Sequence, residues 1–143
     1  MIQAVLDTNV FISALLKPNG VCGLILGAWQ KQEFILLYSE ELILELKDVV
    51  AYPRIKTRLH RSKIGALIRL IRLHGTRVFN NRNVVDSTDP KDNFLIAIAQ
   101  NSQTNYLVSR DVNGILILSL EKIQVITPDA FLQLLQLIRV RSS

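Results

Sequence analysis

Apolar positions along the chain fall into two kinds of pattern that alternate. Ile2 to Leu6 is a short apolar run ending at Asp7 and predicts a strand. Phe34 to Tyr38 is continuously apolar, which suits a strand covered on both faces. Thr76 to Phe79, Tyr106 to Ser109 and Gln124 to Thr127 predict three more short strands. Between them the spacing turns helical. Cys22 to Lys31 predicts a helix with Leu24, Ile25, Ala28 and Trp29 as its apolar side. Ser39 is placed to cap the next helix, with Glu40 and Glu41 in the first turn and Leu42, Ile43, Leu46, Val49 and Val50 as the stripe; Pro53 limits its end. Ser62 to His74 repeats the pattern through Ile64, Leu67, Ile68 and Ile71 and stops at Gly75. From Lys91 a nearly all-apolar helix is expected, and Pro128 opens a last one through Phe131, Leu134, Leu135 and Ile138, capped by Thr127. Asp7 to Val21 is assigned no element of its own, and Asn80 to Pro90 reads as a polar loop.

Strand–helix alternation over the whole length predicts an α/β fold with a mainly parallel sheet and helices on both faces. The 143 residues suit one domain, 1–143. Hydrophobic residues are 49% and charged residues 20%, which excludes a disordered chain. One Cys excludes an internal disulfide framework, so a cytoplasmic location is expected. The longest run free of charged or polar side chains, Val21 to Trp29, is far short of the roughly 20 residues a spanning helix needs, so no membrane is expected. The formal charge of +5 favours a polyanionic partner such as nucleic acid.

In parallel α/β sheets, sites lie outside the carboxyl ends of the strands. Three acids occupy such positions or a helix start nearby: Asp7 after the first strand, Asp111 two residues after the Tyr106 strand, and Asp92 at the head of the apolar helix. A fourth, Glu45, lies on the helix after the second strand, on a flank shared with Glu41 and Asp48. Each also has a plain structural reading: helix cap for Asp7 and Asp92, turn residue for Asp111, solvated helix face for Glu45. Gathered at one edge, the four would repel unless a cation neutralised them, and hard divalent ions prefer oxygen ligands. Cys22, His60 and His74 are too scattered to suggest a softer metal. No phosphate-binding glycine loop is present, and no nucleophilic triad stands out.

Taken in order, these segments resemble the PIN-domain ribonucleases. Val5-Leu6-Asp7-Thr8-Asn9-Val10 is similar to that family's opening motif, and Ser39 to Leu46 to its second acidic segment. Asp89-Pro90-Lys91-Asp92-Asn93 and Tyr106 to Asp111 are similar to the third and fourth. The resemblance implies a three-layer α/β/α sandwich around a parallel sheet of about five strands. It also implies a Mg²⁺- or Mn²⁺-dependent ribonuclease with Asp7, Glu45, Asp92 and Asp111 as catalytic metal ligands. Asn9 would support Asp7, and Ser109, where the family usually has Thr, would hold Asp111 or a metal-bound water. Among small bacterial members the resemblance implies a VapC-type toxin with an antitoxin partner, and a homodimer is common. Two positions depart from the pattern: Arg110 replaces a common Gly, and Asn113 replaces a common second acid.

Substrate binding has a separate trace. Between Asp48 and Asp86 there is no acid, while nine of the 17 basic residues fall there: Arg54, Lys56, Arg58, Arg61, Lys63, Arg69, Arg72, Arg77 and Arg82. As a set they fit a phosphate-binding surface for RNA. Tyr52 is the one aromatic at the edge of this stretch, so backbone contact is expected over base stacking. Two other readings stay open. One is a catalytically silent relative that binds RNA or a protein, motivated by Arg110 and Asn113. The other is an Asp-based phosphatase, disfavoured because position 9 is Asn where that chemistry usually shows a second acid.

Overall fold

The computed structural model describes residues 1–78, 106–110 and 124–142. Five short strands, β1 (Gln3–Leu6), β2 (Ile35–Tyr38), β3 (Thr76–Arg77), β4 (Tyr106–Val108) and β5 (Gln124–Ile126), form one sheet in the order β3-β2-β1-β4-β5. Every neighbouring pair is parallel. The described helices are α1 (Thr8–Leu16), α2 (Val21–Gln30), α3 (Glu40–Val49), the single turn α4 (Pro53–Lys56), α5 (Arg61–His74) and α6 (Pro128–Ser142).

The period-2 geometry of the strands sorts their side chains to two faces. Ala4, Leu6, Leu36, Tyr38, Val108 and Ile126 point into the main core with the buried faces of α1, α2, α3, α5 and α6. There Phe131 of α6 meets Phe34 edge-on, with ring centroids 5.2 Å apart. Val5, Leu37 and Leu107 alternate to the other face and are also buried, with Ile35, Val78 and Val125 around them. Burial on both faces explains why the strands read as continuous apolar runs. The helix expected from Lys91 lies outside the described residues.

The sequence-based elements recur with ends shifted by one or two residues. Ser39 caps α3 by accepting from the Leu42 amide at 3.3 Å, and Thr127 caps α6 by accepting from the Ala130 amide at 3.2 Å. Two elements had no periodic signal. The first, α1, is apolar on nearly every side because it is buried, with Val10, Phe11, Ile12 and Ala14 all in the core. The second, α4, is one turn long and buries nothing. One stripe residue departs from expectation: Leu24 is 49% exposed, while its neighbours Ile25 and Ala28 are buried. The chain turns by 100° between α1 and α2. At that corner a Cβ on Gly23 would collide with the Pro18 backbone, so the tight approach requires glycine. Among the described residues, no single helix is long and apolar enough to cross a membrane.

Candidate metal-binding edge

The sheet order places the first strand in the middle. Chain connections run from β1 to β2 on one side, and β4 lies on the other. The carboxyl ends of β1 and β4 therefore meet at a topological switch point, where open α/β sheets form ligand crevices. The register aligns Leu6 with Val108, so the next residues, Asp7 and Ser109, emerge side by side. The ladder continues one step further, with the Asp7 amide donating to the Val108 carbonyl at 3.0 Å and the Ser109 amide to the Ile126 carbonyl at 3.0 Å.

Asp7 is at once the end of β1 and the N-cap of α1. Its backbone is extended (φ −62°, ψ 150°), and Oδ1 accepts from the Asn9 amide at 3.1 Å. The helix dipole favours a negative charge there. The second oxygen, Oδ2, accepts from the Ser109 hydroxyl at 2.8 Å. Two bonds from two different elements thus fix the carboxylate plane, and the residue stays half-buried rather than sealed. The Ser109 hydroxyl, expected to serve Asp111 or a water, donates to Asp7, while Asp111 lies outside the described residues. Asn9 supports Asp7 through its backbone amide, while the residue itself is exposed.

Thr8, next in sequence, is buried, and among the described residues its Oγ1 has no hydrogen-bond partner. A buried hydroxyl without a partner costs free energy. Beside it in the chain stands a carboxylate and, across the strand pair, the hydroxyl of Ser109. The oxygens brought within hydrogen-bond distance here, those of Asp7 and Ser109, are hard donors of the kind a divalent cation such as Mg²⁺ accepts. Among the described residues no three His, Cys, Asp or Glu side chains gather closely enough to hold an ion by themselves. Asp92 and Asp111, the other expected ligands from beyond β3 and β4, lie outside the described residues.

Glu45 sits in the second turn of α3, which contacts α1. Of the three acids on its flank, Glu41 and Asp48 are exposed and Glu45 alone is half-buried. Glu45 is less exposed than a fully solvated helix face would leave it. The inward turn follows from its neighbours: Leu42, Leu46 and Val49 pull that side of the helix onto the core.

Arg54, Lys56, Arg58, Arg61, Lys63 and Arg69 are exposed on α4, α5 and the link between them, and Tyr52 is 50% exposed at their edge. Arg72 is exposed too, but its guanidinium is engaged with Glu40, a contact that crosses 32 positions and had no signal in the sequence. His60 caps α5, its Nδ1 accepting from the Ser62 amide at 3.1 Å, and His74 is exposed. Arg110, directly after Ser109, places Nη2 3.7 Å from the Cys22 sulfur. Burial pushes the Cys22 thiol pKa up, and Arg110 opposes that.

Comparison with known proteins agrees with this geometry. An uncharacterized protein of Methanocaldococcus jannaschii is 27% identical over 140 residues, spanning 92% of this chain and 90% of the relative. No solved structure matches the chain significantly. A family model for the PIN domain matches residues 3–113. That match starts at the first residue of β1, takes in the switch point and runs past β4, so this chain belongs to the PIN-domain family, whose fold is of the nuclease type.

Proposed function

We propose that the protein is a divalent-metal-dependent ribonuclease that hydrolyses phosphodiester bonds of RNA at the carboxyl edge of its sheet. The observation that carries the reading is the Asp7 carboxylate. It stands at the β1/β4 switch point, oriented by the Asn9 amide and the Ser109 hydroxyl. Asp7, Glu45, Asp92 and Asp111 are the proposed ligands of Mg²⁺ or Mn²⁺, with Ser109 holding the Asp7 carboxylate in its binding orientation. When bound, such an ion acidifies a water and offsets the charge that grows on the phosphate.

The chain's own residues supply the rest. Ser109 and the Asn9 amide keep the Asp7 carboxylate aimed, which lowers the reorganisation that binding would otherwise cost. The exposed bases of α4 and α5 attract the phosphate backbone and give binding a steep salt dependence. A toxin role with an antitoxin partner is the finer form of this proposal. A small open reading frame next to the gene, whose product binds the protein and suppresses cleavage, tests it.

The deciding experiment is cleavage of a mixed RNA pool with Mn²⁺, Mg²⁺ or EDTA, comparing wild type with Asp7→Asn. Cleavage that needs metal and Asp7 supports the proposal. Cleavage unchanged by EDTA or by Asp7→Asn contradicts it. Salt-sensitive RNA binding without any cleavage assigns the protein to the silent, binding class instead.

A further inference from the structure

Glu40, the first residue of α3, receives two guanidinium groups. Arg72, from the last turn of α5, donates from Nη1 to Oε1 at 2.6 Å and from Nη2 to Oε2 at 3.2 Å. Arg77, at the end of β3, brings Nη2 to 3.9 Å from the same Oε1. The hydrogen bond from Arg72 holds the Glu40 carboxyl below the usual carboxylate range, so it is an anion at neutral pH. As a stabilising device this arrangement gives little, because the side chains of Arg72, Arg77 and Glu40 keep 42%, 44% and 33% of their exposure. As a recognition device it is well formed. A planar guanidinium fork engages a carboxylate as it engages a phosphate, through two parallel bonds. Glu40 is two residues beyond the end of β2, the strand beside β1, and Arg77 ends β3, so the cluster shares the carboxyl edge of the sheet with Asp7.

We propose that Arg72 and Arg77 form a phosphate-binding fork for the RNA backbone, and that Glu40 fills it in the nucleic-acid-free protein. RNA then binds there by displacing an internal carboxylate, which weakens binding to any strand that cannot place a phosphate at that point. This inference rests on the ribonuclease reading for the identity of the polyanion.

The test is fluorescence anisotropy of a labelled single-stranded oligoribonucleotide in EDTA, with the full chain as wild type, Glu40→Gln, Glu41→Gln and the double variant Glu40→Gln/Arg72→Gln. Thermal melts verify that each is folded. Glu41 is the exposed neighbour of Glu40, so its variant makes the same change in net charge outside the fork. Glu40→Gln is expected to tighten binding about threefold or more and to steepen the salt dependence by about one unit. Glu41→Gln is expected to do much less, and adding Arg72→Gln to Glu40→Gln is expected to remove the gain. Equal gains from Glu40→Gln and Glu41→Gln, or a gain that survives Arg72→Gln, overturn the fork. Loss of the fork while Asp7-dependent cleavage persists leaves the ribonuclease reading standing. Failure of every variant and of wild type to bind RNA removes both.

Discussion

Two adjacent strands of this sheet end in the same way and do different things. Both β1 and β2 run straight into a helix, and in each case the residue after the strand caps that helix: Asp7 for α1 and Ser39 for α3. Ser39 is fully buried, and its hydroxyl accepts from the Leu42 amide at 3.3 Å, the bond of a helix cap. Asp7 is half-buried, and only one of its oxygens serves the cap. The other is held from the side by Ser109, just past the end of β4 and more than a hundred positions later in the chain. A cap needs one acceptor; a carboxylate with a second, separately oriented oxygen exceeds that need. The second oriented oxygen at β1, with no counterpart at Ser39, is the feature on which the proposed metal role of Asp7 rests.

The sharpest way to break this comparison is to exchange one oxygen at Asp7. Asn caps a helix about as well as Asp, so Asp7→Asn should leave the melting temperature nearly unchanged. RNA cleavage should fall by about a hundredfold or more, at or beyond the 10- to 100-fold that losing a mere supporting group costs. A variant that loses stability and activity together would make Asp7 a cap and little else. Ser109→Ala comes next. It removes the donor to Asp7 Oδ2 but no ligand, and losses of about 10- to 100-fold in activity or metal affinity are expected for such supporting groups. Ser39→Ala should show the opposite profile to Asp7→Asn: about 1 kcal/mol of stability lost in a denaturant titration, with cleavage per folded molecule unchanged.

Two smaller effects sharpen the contrast from outside the candidate site. At the far end of α2, Gln32 adopts φ 62°, and its amide donates to the Trp29 carbonyl at 2.8 Å while the Glu33 amide donates to the Ala28 carbonyl at 3.0 Å. This is a helix-ending motif that glycine fits best. Gln32→Gly should therefore stabilise the fold by about 0.5–1 kcal/mol without touching activity. Smallest is the Glu40–Arg72 pair. Because the folded-state pKa of Glu40 is lowered, its contribution is present above the unfolded carboxylate pKa and is lost as pH falls through the folded one. A small stability difference between wild type and Glu40→Gln at neutral pH should close in acid, as followed by thermal melts across that range.

Much of this was legible in the sequence, for a physical reason that differs by element. Strands buried on both faces write themselves as apolar runs, so β1, β2 and β4 were readable from composition alone. The amphipathic helices α3 and α5 expose one side, and their stripes gave them away. Total burial erased the same signal in α1, whose Val10, Phe11, Ile12 and Ala14 leave no polar face to set the period. Asp7 was legible as a residue just after a strand. The Ser109 bond that orients it was not, because a hydrogen bond across the switch point depends on strand order, which no local pattern encodes. The same holds for Arg72. Its place in the basic stretch was evident, but its engagement by Glu40 follows from how α5 returns past α3.

The central claim is that the Asp7 carboxylate helps to grip a hard divalent ion. Its most direct test is a Mn²⁺ titration followed by electron paramagnetic resonance, on wild type and on Asp7→Asn of equal thermal stability. Binding by the wild type that is lost or weakened at least about tenfold in Asp7→Asn is the predicted result. Equal Mn²⁺ binding by the two proteins, or none by the wild type, would contradict it.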